Sequence, residues 1–306
     1  MRIRIILSII LSFTLFSNAI FAQDIDSAYI ESYSQKIRLM GFVGTDFIQI
    51  RDNGTTYTPN IPLAPGLGVS IKNTVVNVRL GYRLFALNNK KKYGKTKSFD
   101  LQIHNYWKDF ILDLSFQQYK GFYSRKEDRS VGGIYPNLSV LQAGGELAYV
   151  FSGNKFSSKT AFDLGEIQRK SAGSFLLSAD AYFYCLEMDK NNSVMEKERS
   201  NNLQLGIKAG YGYSWVLDKY WLLSAMGMVG GSFGNDPEAL KKGNIKVYPT
   251  ASGRFGSSYH RDNWAAGLSV LVGNKQVYVP SGSRSSLTSV GMQLSYVLYI
   301  DRLFKK

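Results

Sequence analysis

The sequence predicts an all-β fold, a closed antiparallel transmembrane β-barrel of about twelve strands. The first observation behind this is the stretch 98–119. There Phe99, Leu101, Ile103 and Trp107 fall on one face of an alternating pattern, and Asp100, Gln102, His104 and Tyr106 on the other. After Lys108 and Asp109 the pattern returns as Phe110, Leu112, Leu114 and Phe116 against Asp113, Ser115, Gln117 and Tyr119. A turn at Lys108/Asp109 sets Trp107 opposite Phe110 and His104 opposite Asp113, so like meets like along the ladder. Each arm has about ten residues, the tilted span of a bilayer-crossing strand. The second observation is that connections alternate in length. They are tight at Lys72/Asn73, Lys108/Asp109, 216–219 and 259–262, and long at 52–64, 86–95, 120–137, 186–201, 234–244 and 273–285. Short turns at one end and long loops at the other are the outer-membrane pattern. Third, Trp107, Trp215, Trp221 and Trp264 all lie beside the tight turns, with Tyr106, Tyr213, Tyr220 and Tyr259 near them, as an aromatic belt at one interface requires.

Taken in order, Arg2 and Arg4, the apolar run 5–16 and Ala22 predict a secretory signal peptide over residues 1–22, although Ile20 stands where a small residue is usual. Its removal takes two Arg and no acid, lowering the formal charge from +14 to +12. Residues 23–37 are polar and weakly patterned and read as a periplasmic lead-in; residues 38–306 form the barrel domain. Strands are predicted at 38–51, 65–72, 74–85, 96–107, 108–119, 138–152, 171–185, 202–215, 219–233, 245–258, 262–272 and 286–300. Alternation is clearest in Leu203, Leu205, Ile207, Ala209, Tyr211, Tyr213 and Trp215, against Gln204, Gly206, Lys208, Gly210, Gly212 and Ser214. Residues 153–170 are poor in apolar residues. Parity makes them a connection on the turn side, because a spanning strand there would make the count odd and move the long loops to the other end. A helical turn or two is expected within 161–170, and both termini are expected to be periplasmic.

The composition suits long strands at a lipid rim, with 20 Tyr, 18 Phe and 29 Gly but 7 Pro in 306 residues. Cys185 is the sole cysteine, so an internal disulfide and a cysteine metal cluster are excluded. Neither histidine sits in a metal-ligand spacing, and no glycine-rich piece leads into a helix, so metal, nucleotide and other cofactor sites are not expected.

His104 facing Asp113, with Ser115 one diagonal step away, is the pattern that could activate a serine for acyl transfer in a membrane phospholipase or deacylase. The alternative reading is a polar network holding the barrel. His260, in a tight turn beside Arg261 and Asp262, is expected to be exposed. Lumen-facing charges are predicted at Lys72, Arg79, Arg83, Lys208 and Arg254, and at Asp46, Asp100, Asp113, Glu146 and Asp180, a nearly neutral set. Lys90, Lys91, Lys92, Lys95 and Lys97 make an acid-free run in the second long loop. On an extracellular loop it would attract anions, whether lipopolysaccharide phosphates or small anionic solutes entering a pore, more strongly at low salt.

The pieces Tyr119-Lys120-Gly121-Phe122-Tyr123 and Gln168-Arg169-Lys170-Ser171-Ala172-Gly173-Ser174 resemble a family of bacterial outer-membrane barrels catalogued as a domain of unknown function, DUF4421. The resemblance covers most of the mature chain. It implies the barrel fold, the cell outer membrane as location and insertion by the barrel-assembly machinery, and supplies no activity. The end departs from the pattern of many such barrels, since Lys305 and Lys306 follow Phe304. A non-enzymatic channel or a structural, surface-interacting barrel is expected, with lipid hydrolysis through Ser115, His104 and Asp113 as the competing class and nucleic acid excluded as a partner.

Overall fold

Alternating residues divide between the two faces of a wall that closes on itself. The structure is a computed structural model, describing residues 25–52, 55–60, 63–81, 89–125, 130–189, 197–278 and 284–300. In chain order it contains β1 (Ile30–Ser32), β2 (Ile37–Asp52), β3 (Thr55–Pro59), β4 (Ala64–Ile71), β5 (Thr74–Gly81), α1 (Lys90–Tyr93), β6 (Lys97–Tyr106), β7 (Phe110–Arg125) and β8 (Val131–Val150). There follow α2 (Ser158–Asp163), β9 (Glu166–Gln168), β10 (Ala172–Asp189), β11 (Lys197–Val216), β12 (Trp221–Asn235), α3 (Pro237–Lys241), β13 (Lys246–His260), β14 (Trp264–Tyr278) and β15 (Arg284–Ile300). Twelve of these strands, β2, β4 to β8 and β10 to β15, pair antiparallel in sequence order, and β15 closes on β2 from Ser286↔Arg51 to Ile300↔Ile37. The fold is therefore a closed antiparallel transmembrane barrel. His104 pairs with Asp113 across the β6–β7 turn, the register that alternation dictates.

The outer face is apolar where a soluble protein would hide it. Leu67 is 73% exposed, Val229 69% and Phe175 68%, with Leu294, Ile207 and Leu80 each more than half exposed. Such a continuous apolar surface is stable against lipid and not against water. At the turn end it finishes in touching rings: Phe110 and Tyr149 at 5.2 Å, Tyr149 and Phe151 at 4.9 Å, Trp221 and Tyr259 at 5.1 Å, and Trp264 stacked on Tyr296 at 5.6 Å.

Two features of the wall differ from the sequence expectation. Parts of the long connections are strand: β7 runs to Arg125, β8 starts at Val131, and β10, β11, β14 and β15 also extend outward past the predicted limits. Some of these ladders continue through polar residues, as at 197–201 of β11 and 273–276 of β14, where hydrophobic alternation gives no signal. β3 lies inside what reads as a loop. It joins β2 (Ile50↔Tyr57) to β7 (Pro59↔Phe122), filling the wall above the shorter β4, β5 and β6. Its Thr-Thr-Tyr-Thr-Pro composition has strand propensity and no apolar face, so two free neighbouring edges decide its state. Of the predicted strand 74–85, residues 82–85 lie outside the described residues.

Where β7 passes from β6 to β3, its ladder skips a residue between Lys120 and Phe122. Gly121 there has φ +94°, and a Cβ would overlap the Lys95 carbonyl oxygen. Thr96 Oγ1 donates to Gly121 O at 2.6 Å, and Asn60 N donates to Thr96 Oγ1 at 2.8 Å, fastening three segments at the bulge. Gly121→Ala is expected to destabilise the barrel by about 1–3 kcal/mol, from left-handed strain plus backbone overlap. Urea titration of heat-modifiable gel mobility, in which a folded barrel migrates apart from its boiled form, measures it.

Residues 153–170 connect β8 to β10 at the turn end, and they fold back into the mouth of the barrel. Ser157 caps α2, its Oγ accepting from Thr160 N, and Leu164 ends the helix at φ 55°. Phe156 and Ala161 enter one apolar cluster with Val75, Tyr106, Ile111 and Leu176 of the wall, and Leu164 enters another with Met40, Phe42, Ala265 and Val297. β9 pairs outside the ring with β1, so the lead-in is tied to this plug. The helix comes earlier than expected, at 158–163, because Ser157 supplies the cap.

Candidate functional site: the barrel lumen

Strand parity stacks the lumen in layers. Toward the long loops, Ile48 and Ile50 (β2), Tyr119 and Phe122 (β7), Leu138 and Val140 (β8), Tyr184 and Leu186 (β10) and Leu287 (β15) form a buried apolar cluster. At the turn end stands the plug. The inner faces are therefore not uniformly polar, as the alternation alone suggests, because β2, β7 and β8 each turn apolar residues inward near one end.

Between these layers lie the charges. Asp113, Glu146 and Asp180 are direct cross-strand partners on β7, β8 and β10, a row of three carboxylates that would repel one another if unpaired. Lys208 answers two of them, with Nζ 2.6 Å from Glu146 Oε2 and 3.3 Å from Asp180 Oδ2, while only 3% of its side chain is exposed. Gly206, opposite Asp180 in register, leaves room for that carboxylate, since a Cβ would stand 2.7 Å from Asp180 Oδ2. Arg254 reaches from β13 to ion-pair with Asp113 Oδ2, and its guanidinium lies over the Phe162 ring of the plug at 5.6 Å. Arg79 pairs with Asp100, which also accepts from Gln102 Nε2 at 2.9 Å. Lys72 is in the β4–β5 turn at φ 54° and exposed, outside the lumen. Arg83 and the side chain of Asp46 lie outside the described residues.

His104 Nδ1 is 2.6 Å from Asp113 Oδ1, while its Nε2 faces Gln102 Oε1 at 3.3 Å. Ser115 is the register partner of Gln102 and lines the same cavity, but the nitrogen that would have to take its proton is turned to an amide oxygen. With Arg254 on the second Asp113 oxygen, the arrangement is that of a charge network, and the serine stands apart from it. His260 corrects the expectation of exposure. It is 5% exposed, with Nδ1 3.0 Å from Tyr33 OH and Nε2 2.8 Å from Ser258 Oγ. The β13–β14 turn begins after it, so its side chain points inward and the lead-in covers it. Ser258 is two residues away, but Tyr33 is 227 positions distant, a contact that local sequence does not reveal.

A cavity of about 220 Å³ lies above the plug, lined among others by Ser115, Gln117, Gln142, Tyr182, Arg254 and Gln293. A second, about 120 Å³, adjoins it around Lys208 and Leu271. The plug beneath is fastened by ions that burial penalises. Arg38 Nη1 is 2.7 Å from Asp163 Oδ2, and Lys159 Nζ is 3.6 Å from Glu166 Oε1. Burial lifts the Asp163 carboxyl above its ordinary range against the pull of Arg38, and it lowers the Lys159 ammonium against the pull of Glu166. Among the described residues no group of three or more His, Cys, Asp or Glu is placed to hold a metal ion.

The lysines of the second long loop are not at the lumen mouth. Lys91, Lys92, Lys95 and Lys97 are exposed, and the α1 segment packs on the outer side of the wall, with Tyr93 5.1 Å from Tyr123. The side chain of Lys90 lies outside the described residues. An anion funnel over the lumen therefore gives way to a basic patch on the barrel's exterior.

The family model for DUF4421, a domain of unknown function, matches residues 24–297. The chain belongs to this family. No functionally curated protein matches it. Among solved structures it is similar to the translocator domain of the autotransporter NalP from Neisseria meningitidis, with 14% identity, TM-score 0.45, and 85% of this chain and 88% of that one covered. The β domain of the Bordetella autotransporter BrkA shows 11% identity, TM-score 0.40 and coverage of 87% and 100%. The NanC porin shows 7% identity, TM-score 0.31 and coverage of 84% and 99%. At such scores no property of theirs carries over to this member of the family.

Proposed function

We propose that this protein is a non-enzymatic barrel of the cell outer membrane, exported by a cleaved signal over residues 1–22, that acts as a conduit for small polar solutes and is closed at rest. The observation that carries the reading is the plug, since residues 153–170 occupy the turn-end mouth and leave above them a cavity lined by both polar and apolar side chains. A purely structural barrel could fill its lumen with side chains alone. The described lumen charges are three cations, Arg79, Lys208 and Arg254, against four acids, Asp100, Asp113, Glu146 and Asp180. They are mutually paired, and the anion preference expected from the lysine loop has no counterpart inside. Gln117, Gln142 and Ser115 instead offer uncharged donors and acceptors to the cavity.

Planar-bilayer recording tests this reading. The intact protein is expected to conduct in rare, brief openings, and a variant lacking the Arg38–Asp163 contact to open more often, with the apolar layer toward the long loops still in place; silence from both would leave only the structural role. The hydrolase alternative makes the opposite forecast at one residue. Ser115→Ala is expected to leave the acyl-chain and headgroup composition of outer-membrane lipid unchanged in whole-cell lipid analysis, whereas a change reproduced by His104→Gln would restore that alternative.

A further inference from the structure

The outer face of the β6–β7 hairpin carries Leu101, Ile103, Leu112 and Leu114, with Phe99 and Phe116 touching edge to face at 6.0 Å, and above these it turns polar at Gln118 and then basic. One alternation above Phe99 stands Lys97, and directly opposite it in register is Lys120. Both point outward by the parity of Phe99 and Phe116, both are exposed, and like charges facing each other across a ladder destabilise it. The Gly121 bulge holds the backbone of a third, exposed lysine beside this pair, because the Lys95 carbonyl packs where a Cβ of residue 121 would be. Above them Arg125 donates to Tyr123 OH at 2.8 Å and lies over that ring. Among the described residues no carboxylate pairs with Lys95, Lys97 or Lys120.

An unneutralised cationic cluster, fixed by a bulge at the upper border of a lipid-facing band, lacks only its counter-ion. We infer that Lys95, Lys97 and Lys120 form a binding site for the phosphate groups of a phosphorylated lipid in the outer leaflet. The position selects the lipid over a free anion. The site lies on the outer wall beside the apolar face of the hairpin, so acyl chains can lie on Phe99 and Phe116 while headgroup phosphate meets the ammonium groups. The sequence run of lysines ended at Lys97; Lys120 joins it only through the strand register.

The test uses the full-length protein folded in nanodiscs of neutral lipid, titrated with a bisphosphorylated lipid A-type glycolipid and with its dephosphorylated form, with bound lipid read by native mass spectrometry. Wild type is expected to retain the phosphorylated glycolipid in preference to the dephosphorylated one, with affinity falling as salt rises. Removing one lysine is worth roughly fivefold, so Lys120→Gln should weaken binding about fivefold and the Lys95→Gln/Lys97→Gln/Lys120→Gln triple on the order of a hundredfold. Lys241→Gln/Lys242→Gln, on the distant α3 segment, should change nothing. Heat-modifiable mobility checks folding of each variant, and the single substitution decides the matter if the triple does not fold. Unchanged affinity in Lys120→Gln, equal retention of the dephosphorylated lipid, or inorganic phosphate binding as tightly as the lipid would overturn the inference.

Discussion

Replacing Lys208 by methionine is expected to cost about 3–5 kcal/mol of barrel stability, the penalty for leaving a buried charge without its partner. Lys208 stands between Glu146 and Asp180, and the Asp180 side chain is wholly buried. Without it, three neighbouring strands carry carboxylates with nothing between the second and third. Arg254 does not compensate, since its ion pair is with Asp113. Urea titration of the refolded protein should show the midpoint moving down, with little change in the slope. The triple variant Lys208→Met/Glu146→Gln/Asp180→Asn should recover most of the loss, because removing all members of a buried ion group is far cheaper than removing one. A single variant as stable as wild type would mean that the carboxylate row is solvated in the membrane.

Asp163→Ala is expected to release the plug while sparing the wall. It strands the Arg38 guanidinium, 5% exposed, at the rim of the mouth, and about 3–5 kcal/mol of docking free energy goes with it. The loss falls on the segment because the ring of strands is closed by its own ladders, from β2 round to β15. Added trypsin should then cut after Lys159, which is 12% exposed in the docked state, while strand fragments stay protected. Arg38→Met/Asp163→Leu, which replaces the pair with apolar groups, should restore resistance. Cleavage at equal rates in wild type and Asp163→Ala would show that the pair does not hold the segment.

The wall was legible because a lipid-facing strand must alternate, and Leu203 to Trp215 or Phe99 to Phe116 do so without exception where it matters. Turns were legible for the same reason, as breaks in that pattern flanked by aromatics. β3 was not, since Thr55–Pro59 is strand only by virtue of two open edges on β2 and β7, strands far apart in sequence. The same limit applies to the lumen. The register shows that His104 meets Asp113, but Arg254 reaches that carboxylate from across the barrel, 141 positions away, and Tyr33 reaches His260 over 227. The plug was placed on the correct side by strand parity. Its inward fold rests on Phe156, Ala161, Phe162 and Leu164, too few apolar residues in an otherwise polar stretch to announce a packed segment.

That residues 153–170 close the turn-end mouth is tested most directly by chemical access to the cavity above them. Gln142 lines both lumen cavities and can be changed to cysteine in a Cys185→Ser background. A membrane-impermeant maleimide confined to the periplasmic side should label Gln142→Cys at least about a hundredfold more slowly than Lys241→Cys does when its own side is treated, as befits a site reached only by local opening. Adding Asp163→Ala should raise the Gln142→Cys rate at least about tenfold. Prompt labelling of Gln142→Cys in the otherwise intact protein would mean that the mouth is open and the plug closes nothing.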